Sequence, residues 1–205
     1  QQQGQHRPVA RIQRGGDRRH AGDDPDQSEH AARWQQVIGV DAPQDAPPGV
    51  AGQTPAMTVG ANTVDGFVTN LAISNMYELE AAKIAATKST NADVKALAAM
   101  ITKDHTAAGE KLAAAAPTAA PGVAIPTALD QRHQGLIDNL NAATADDFDK
   151  VYLDQQVAAH NEALTLLNGF SNNTDAPALA TLGGELVAPV TAHRDRARTL
   201  VEAMD

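Results

Sequence analysis

Four residues of this 205-residue chain combine metal-ligating side chains with positions that would bury them: Glu78, His105, His160 and His193. In the stretch NADVKALAAMITKDHTAAGEKL, residues 91–112, Val94, Ala98, Ile101, His105, Ala108 and Leu112 recur at alternating spacings of four and three. That spacing aligns them on one face of a 3.6-residue helix, so an imidazole stands where a core aliphatic is expected. The anomaly repeats three times. Glu78 shares a stripe with Phe67, Leu71, Ser74, Ala81 and Ala85, His160 one with Leu153, Val157, Leu164 and Leu167, and His193 one with Leu179, Leu182, Leu186, Ala197 and Leu200.

Imidazole nitrogens and a carboxylate oxygen suit zinc, iron, manganese or copper, and one ligand from each of four helices would make a four-coordinate site. A closed set would hold the ion, whereas catalysis would need an open position for water or substrate. Asp104, Tyr77, Tyr152 and Asp154 are candidates to orient a ligand imidazole from behind. The competing use is structural. A core histidine often just bonds a neighbour, and Glu78 beside an imidazole would be an ordinary buried pair. Metal affinity that falls as imidazoles are protonated would favour the first use, and stability indifferent to metal and chelator the second.

The elements that must carry these residues begin near residue 62. Residues 1–61 are expected to form a disordered or low-complexity extension and linker, and 62–205 a helical domain. The first part holds Arg7, Arg11, Arg14, Arg18, Arg19 and Arg33 but none of the six lysines, which start at Lys83. It has too few periodic aliphatics to offset its ordering entropy, apart from a short helix expected near residues 28–37. A net charge of −9 excludes a nucleic-acid surface for the folded part. No apolar run reaches the length of a transmembrane segment. The absence of cysteine excludes disulfides and thiolate ligands. No signal peptide is visible in the chain.

The spacing predicts a first long helix from a Thr63 or Asn62 cap to about Lys88, and a second from an Asn91 cap that stops before Pro117. The connection between them is short enough to make the pair antiparallel. Pro117, Pro121, Gly122 and Pro126 then mark a crossover, with Thr127 capping a short helix that carries His133, for which no partner is evident. Thr144 is expected to cap the next long helix, from Ala145 to Phe170. Asp175 is expected to cap the last, with Pro177 in its first turn and local breaks at Gly183-Gly184 and Pro189. If the crossover returns the chain so that the two hairpin turns lie at opposite ends, then at ~1.5 Å of rise per residue His105 and His160 share a level, with Glu78 and His193 roughly 6–10 Å away. One cluster is then possible. With both turns at one end, two separate pairs would result.

The segments FVTNLAISNMYELEAAKIA, STNADVKALAAMITKDH, FDKVYLDQQVAAH and LVAPVTAHRDRARTL together resemble the bacterial domain-of-unknown-function 4142 family, over residues 62–203. The resemblance implies a ferritin-like, all-α antiparallel four-helix bundle with a short crossover helix, and a protein of the periplasm or cell envelope, since members are often described as predicted outer membrane proteins. It also implies a glutamate in the first helix, a DH pair in the second and a histidine in each of the last two, which are Glu78, Asp104-His105, His160 and His193 here. Di-iron proteins carry Glu-x-x-His on two helices, but Thr102 and Val190 stand three residues before His105 and His193. Oxidase chemistry of that kind is therefore not expected. Two functions remain: an exported bundle that binds one transition-metal ion for sequestration or sensing, or a metal-free structural or interaction module of the envelope whose protein partner is unknown. An enzyme is the less favoured third.

Overall fold

The computed structural model describes Gly60 and residues 62–204; the helix expected near residues 28–37 lies outside the described residues. The expectation of an all-α fold holds. Among the described residues there are five helices and no strand: α1 (Val64–Lys88), α2 (Ala92–Ala119), α3 (Gln131–Ala142), α4 (Phe148–Phe170) and α5 (Pro177–Glu202). The four long helices contact one another in a ring, α1 on α2, α2 on α5, α5 on α4 and α4 on α1, while α3 lies outside against α1 and α4.

The aliphatic stripes read from the spacing are the buried faces. Phe67, Leu71, Ala81 and Ala85 of α1, Val94, Ile101 and Leu112 of α2, Leu153 and Leu167 of α4, and Leu179 and Leu200 of α5 are all buried. Phe67 at the start of α1 stacks on Phe170 at the end of α4, with ring centroids 4.0 Å apart. At the other end, the Lys88 ammonium lies 5.3 Å from the centre of the Phe148 ring, which begins α4. Helices α1 and α4 are thus antiparallel, and the two hairpin turns sit at opposite ends of the bundle. That is the arrangement compatible with one cluster.

Several helix ends differ from expectation for local reasons. Thr63 does cap α1, its hydroxyl accepting from Gly66 N at 3.1 Å, and Asn91 caps α2, accepting from Asp93 N at 2.8 Å. Helix α2, however, runs through Pro117 to Ala119. The proline forfeits one backbone bond on an exposed face, while Leu112, Ala116 and Ala120 keep burying the opposite one. Helix α3 is capped by Asp130, not Thr127, so that His133 reaches back to Asp130 Oδ1 at 2.7 Å and tilts against Tyr77. His133 therefore has two partners. Thr144 closes a preliminary turn, bonding Asp147, and α4 starts at Phe148. Asn173, not Asp175, receives the N–H groups of Asp175 and Ala176 ahead of α5. Helix α5 is unbroken. A methyl on Gly183 would meet Phe67 Cζ at 3.4 Å, so this glycine serves close packing.

The crossover is fastened by two contacts. Tyr77 Oη donates to Gln155 Oε1 at 2.8 Å, and Gln155 Nε2 donates to Leu136 O at 3.2 Å. Lys88 Nζ donates to the carbonyls of Leu140, Asn141 and Ala143 at 2.8–2.9 Å, satisfying the C-terminal end of α3 with a positive charge. Lys88→Met removes that cap and is expected to lower unfolding free energy by about 1–2 kcal/mol. Urea unfolding checks this; an unchanged midpoint would mean the three carbonyls find water equally well.

Candidate metal centre

The buried apolar residues fall into two clusters. One contains Phe67, Leu112, Phe170 and Leu179, the other Tyr77, Ile101, Phe148 and Leu200. Where they meet along the helices lies a belt of buried polar side chains: Ser74, Asn75 and Glu78 from α1, His105 from α2, His160 from α4 and His193 from α5. Asp154, Gln155 and Gln156 of α4 are buried beside it, flanked in sequence by Leu153 and Val157 of the second cluster. Buried polar groups of this kind must be bonded or they cost stability.

The bonds made by the three imidazoles define their protonation. His105 Nδ1 is 3.1 Å from Asn75 Oδ1, His160 Nδ1 is 2.9 Å from Gln156 O, and His193 Nε2 is 3.0 Å from Asp104 Oδ2. Each partner is an oxygen that can only accept, so each of these nitrogens carries the ring's N–H and donates. A neutral ring then has a bare lone pair on its other nitrogen. His160 Nε2 and His193 Nδ1 face each other at 3.3 Å, and His105 Nε2 is buried with no hydrogen-bond partner. The three residues each offer a ligand atom within 4.8 Å of the others. Their ring centroids are 5.3–5.7 Å apart.

Electrostatics keeps the rings neutral. Burial pushes His160 down to about 3, with the His193 ring adding to the effect. Burial and the two neighbouring imidazoles hold His105 well below the usual histidine range. Burial also lowers His193, against the opposing pull of Asp104. A proton cannot easily bridge the facing lone pairs, yet left alone they repel. A cation with empty coordination positions relieves that repulsion. At a metal–nitrogen distance of about 2.0–2.1 Å, tetrahedral geometry sets neighbouring nitrogens roughly 3.3–3.4 Å apart, close to the 3.3 Å between His160 and His193.

Glu78 sits with the group but on a different side. Its Oε1 is 3.5 Å from His160 Nδ1, the nitrogen whose N–H is already given to Gln156 O. Burial raises its carboxyl to about 8, so at neutral pH it is protonated and its contact with neutral His160 is dipolar, not ionic. Of the residues considered for orienting an imidazole, Asp104 does so directly. Tyr77 is engaged with Gln155, and Tyr152 Oη is buried without a hydrogen-bond partner.

Two partners were missed by reading the sequence. Asn75 lies three residues before Glu78, and that i, i+3 placement on the inner face was the available signal. The Gln156 carbonyl had none, because every residue carries one. Gly109 completes the setting: a methyl there would lie 2.9 Å from Asn75 Nδ2. A wide groove of about 880 Å³ on the outer side of α1, lined by residues including Met76, Leu79, Ile84 and Leu129, holds none of the three imidazoles. No helix among the described residues is long and apolar enough to cross a membrane.

Residues 49–200 match the family described as "Domain of unknown function (DUF4142)", and the chain belongs to that family. No match was found among curated proteins or among solved structures.

The buried titrations make opposite contributions to stability. Unfolded imidazoles take up protons below about pH 6.5 and the folded ones only lower, so the stability they contribute is present above about 6.5 and lost as pH falls. Glu78 has a raised folded value, so its contribution is present below its ordinary 4.5 and lost as pH rises through about 8. Metal-free protein should therefore unfold hardest between about pH 6 and 7, and Glu78→Gln should flatten the decline on the alkaline side. Urea midpoints from pH 5 to 9 test both; a steady rise to pH 9 in the unaltered protein would contradict the assignment of Glu78.

Proposed function

We propose that this member of the domain-of-unknown-function 4142 family binds one transition-metal ion at the centre of the bundle, through His105 Nε2, His160 Nε2 and His193 Nδ1. The observation that carries the proposal is that three buried imidazoles each offer a ligand atom within 4.8 Å of the others, while each ring keeps a lone pair on the nitrogen not bonded to an outer oxygen. Asn75, the Gln156 carbonyl and Asp104 would fix the tautomers and orientations from behind, as outer partners of ligand histidines do. Glu78, the fourth ligand expected from the sequence, would enter as the carboxyl backing His160, free to add its oxygen only if it turns past that ring.

Three imidazoles without thiolate suit zinc, copper or iron better than a hard cation such as calcium or magnesium. When bound, such an ion supplies Lewis acidity or, for copper and iron, a redox couple. The space adjoining the imidazoles is about 20 Å³, too small for an organic substrate. That favours holding or sensing the ion over turnover of larger molecules. Export to the periplasm or cell envelope is the location that family membership suggests, and it belongs to the same proposal.

The test is metal content of untagged protein prepared without chelator, with thermal unfolding before and after zinc, copper, iron or manganese. Near-stoichiometric metal and a raised melting temperature, both lost in His105→Ala and His160→Ala, are expected. No metal and no shift would instead leave a metal-free structural bundle. The outer partners give a graded check: Asp104→Ala is expected to weaken affinity about 10–100-fold. Gly109→Ala should weaken it too, by displacing Asn75, while helix propensity favours alanine by up to about 1 kcal/mol. Isothermal titration with zinc, paired with urea unfolding, separates the two effects; unaltered affinity in both variants would contradict the role given to the outer bonds.

A further inference from the structure

A cavity of about 20 Å³ reaches both His105 and His193 and is otherwise walled mainly by aliphatic carbon from Leu71, Ala108, Ala163, Leu167, Leu186 and Val190. Its edge includes Ser74, Asn75 and Asp104, and the side-chain oxygens of Asn75 and Asp104 already receive the imidazole N–H groups. We infer that this cavity admits a small neutral diatomic gas, such as nitric oxide, carbon monoxide or dioxygen, to the open coordination position of the metal. The inference rests on the three-histidine site proposed above.

Size and wall chemistry restrict the ligand. About 10–15 Å³ is the least that holds one water-sized sphere, so this space takes a molecule of two or three atoms. A water there needs two to four polar partners to be worth its place, and a wall whose exposed atoms are mainly aliphatic carbon offers few. An anion fares worse, because it would shed hydration with no cationic partner from the wall and would lie near the Asp104 carboxylate. A neutral diatomic loses little hydration and gains dispersion contact with the surrounding methyl groups. Pro189, also on the wall, brings no backbone N–H of its own. His105 and His193, two of the three proposed ligands, line the cavity, so a ligand inside lies against the rings of both.

Two measurements separate the cavity from the metal. Xenon pressure on metal-free, methyl-labelled protein should shift the resonances of Leu71, Leu167, Leu186 and Val190 and leave Leu97 and Leu140, at the other end of the core, unmoved. Protein loaded anaerobically with iron(II) should then bind nitric oxide at one per iron, seen as a high-spin iron–nitrosyl signal in electron paramagnetic resonance, while azide binds at least tenfold more weakly. Ala108→Leu fills the cavity from α2 and Ala163→Leu from α4; whichever folds should retain iron, lose the xenon shifts and bind nitric oxide at least tenfold more weakly. Iron loading with no nitrosyl, equal nitrosyl formation in the filled variants, or preference for azide would overturn the inference and leave the metal site standing. Failure to load any of the four metals would overturn the site itself, and the inference with it.

Discussion

Hydrogen-bond satisfaction at one level of the bundle constrains everything around it. Three buried imidazoles each spend their N–H on an outer oxygen, at 2.9–3.1 Å, and so keep a lone pair on the other ring nitrogen. Those nitrogens have no donor to meet. Two face each other and one has no hydrogen-bond partner. In an apolar interior such an arrangement is costly unless a cation completes it. The surrounding structure is built to hold it: Gly109 leaves room on α2 for the Asn75 side chain of α1, and apolar clusters lie on either side.

Two hairpins with their turns at opposite ends put His105, from the first, level with His160 and His193, from the second. The crossover makes this topology possible, and its attachments at Lys88 and Tyr77 therefore serve the centre at a distance. Glu78 marks a second consequence of burial. A carboxyl raised to about 8 remains uncharged beside neutral rings at neutral pH, so the centre without metal carries no net charge from these four groups. Introducing a cation then changes the charge of the interior, and Glu78 is the adjacent group able to answer that change by releasing a proton.

Much of this was legible in the sequence because helical burial writes a 3.6-residue period. The stripes through Phe67, Val94, Leu153 and Leu179 were read correctly, and counting rise per residue favoured the level shared by His105 and His160. Helix ends were less legible. Thr127 and Asp130, or Asn173 and Asp175, are equally able caps as residue types, and tertiary position chooses between them. Pro117 looked like a stop because its lost hydrogen bond is local, whereas the burial of Ala116 and Ala120 that outweighs it is not. The centre's inner logic was not legible at all. Tautomers depend on which oxygen each ring meets, and a backbone carbonyl such as that of Gln156 has no signature in a sequence.

The most direct test is nitrogen-15 NMR of the histidine side chains, in metal-free protein and after one equivalent of zinc. The account predicts neutral rings at neutral pH, with the proton on Nδ1 of His105 and His160 and on Nε2 of His193, and with zinc moving the other nitrogen of all three. A protonated imidazolium among them, any reversed tautomer, or zinc leaving the three rings unchanged would contradict it.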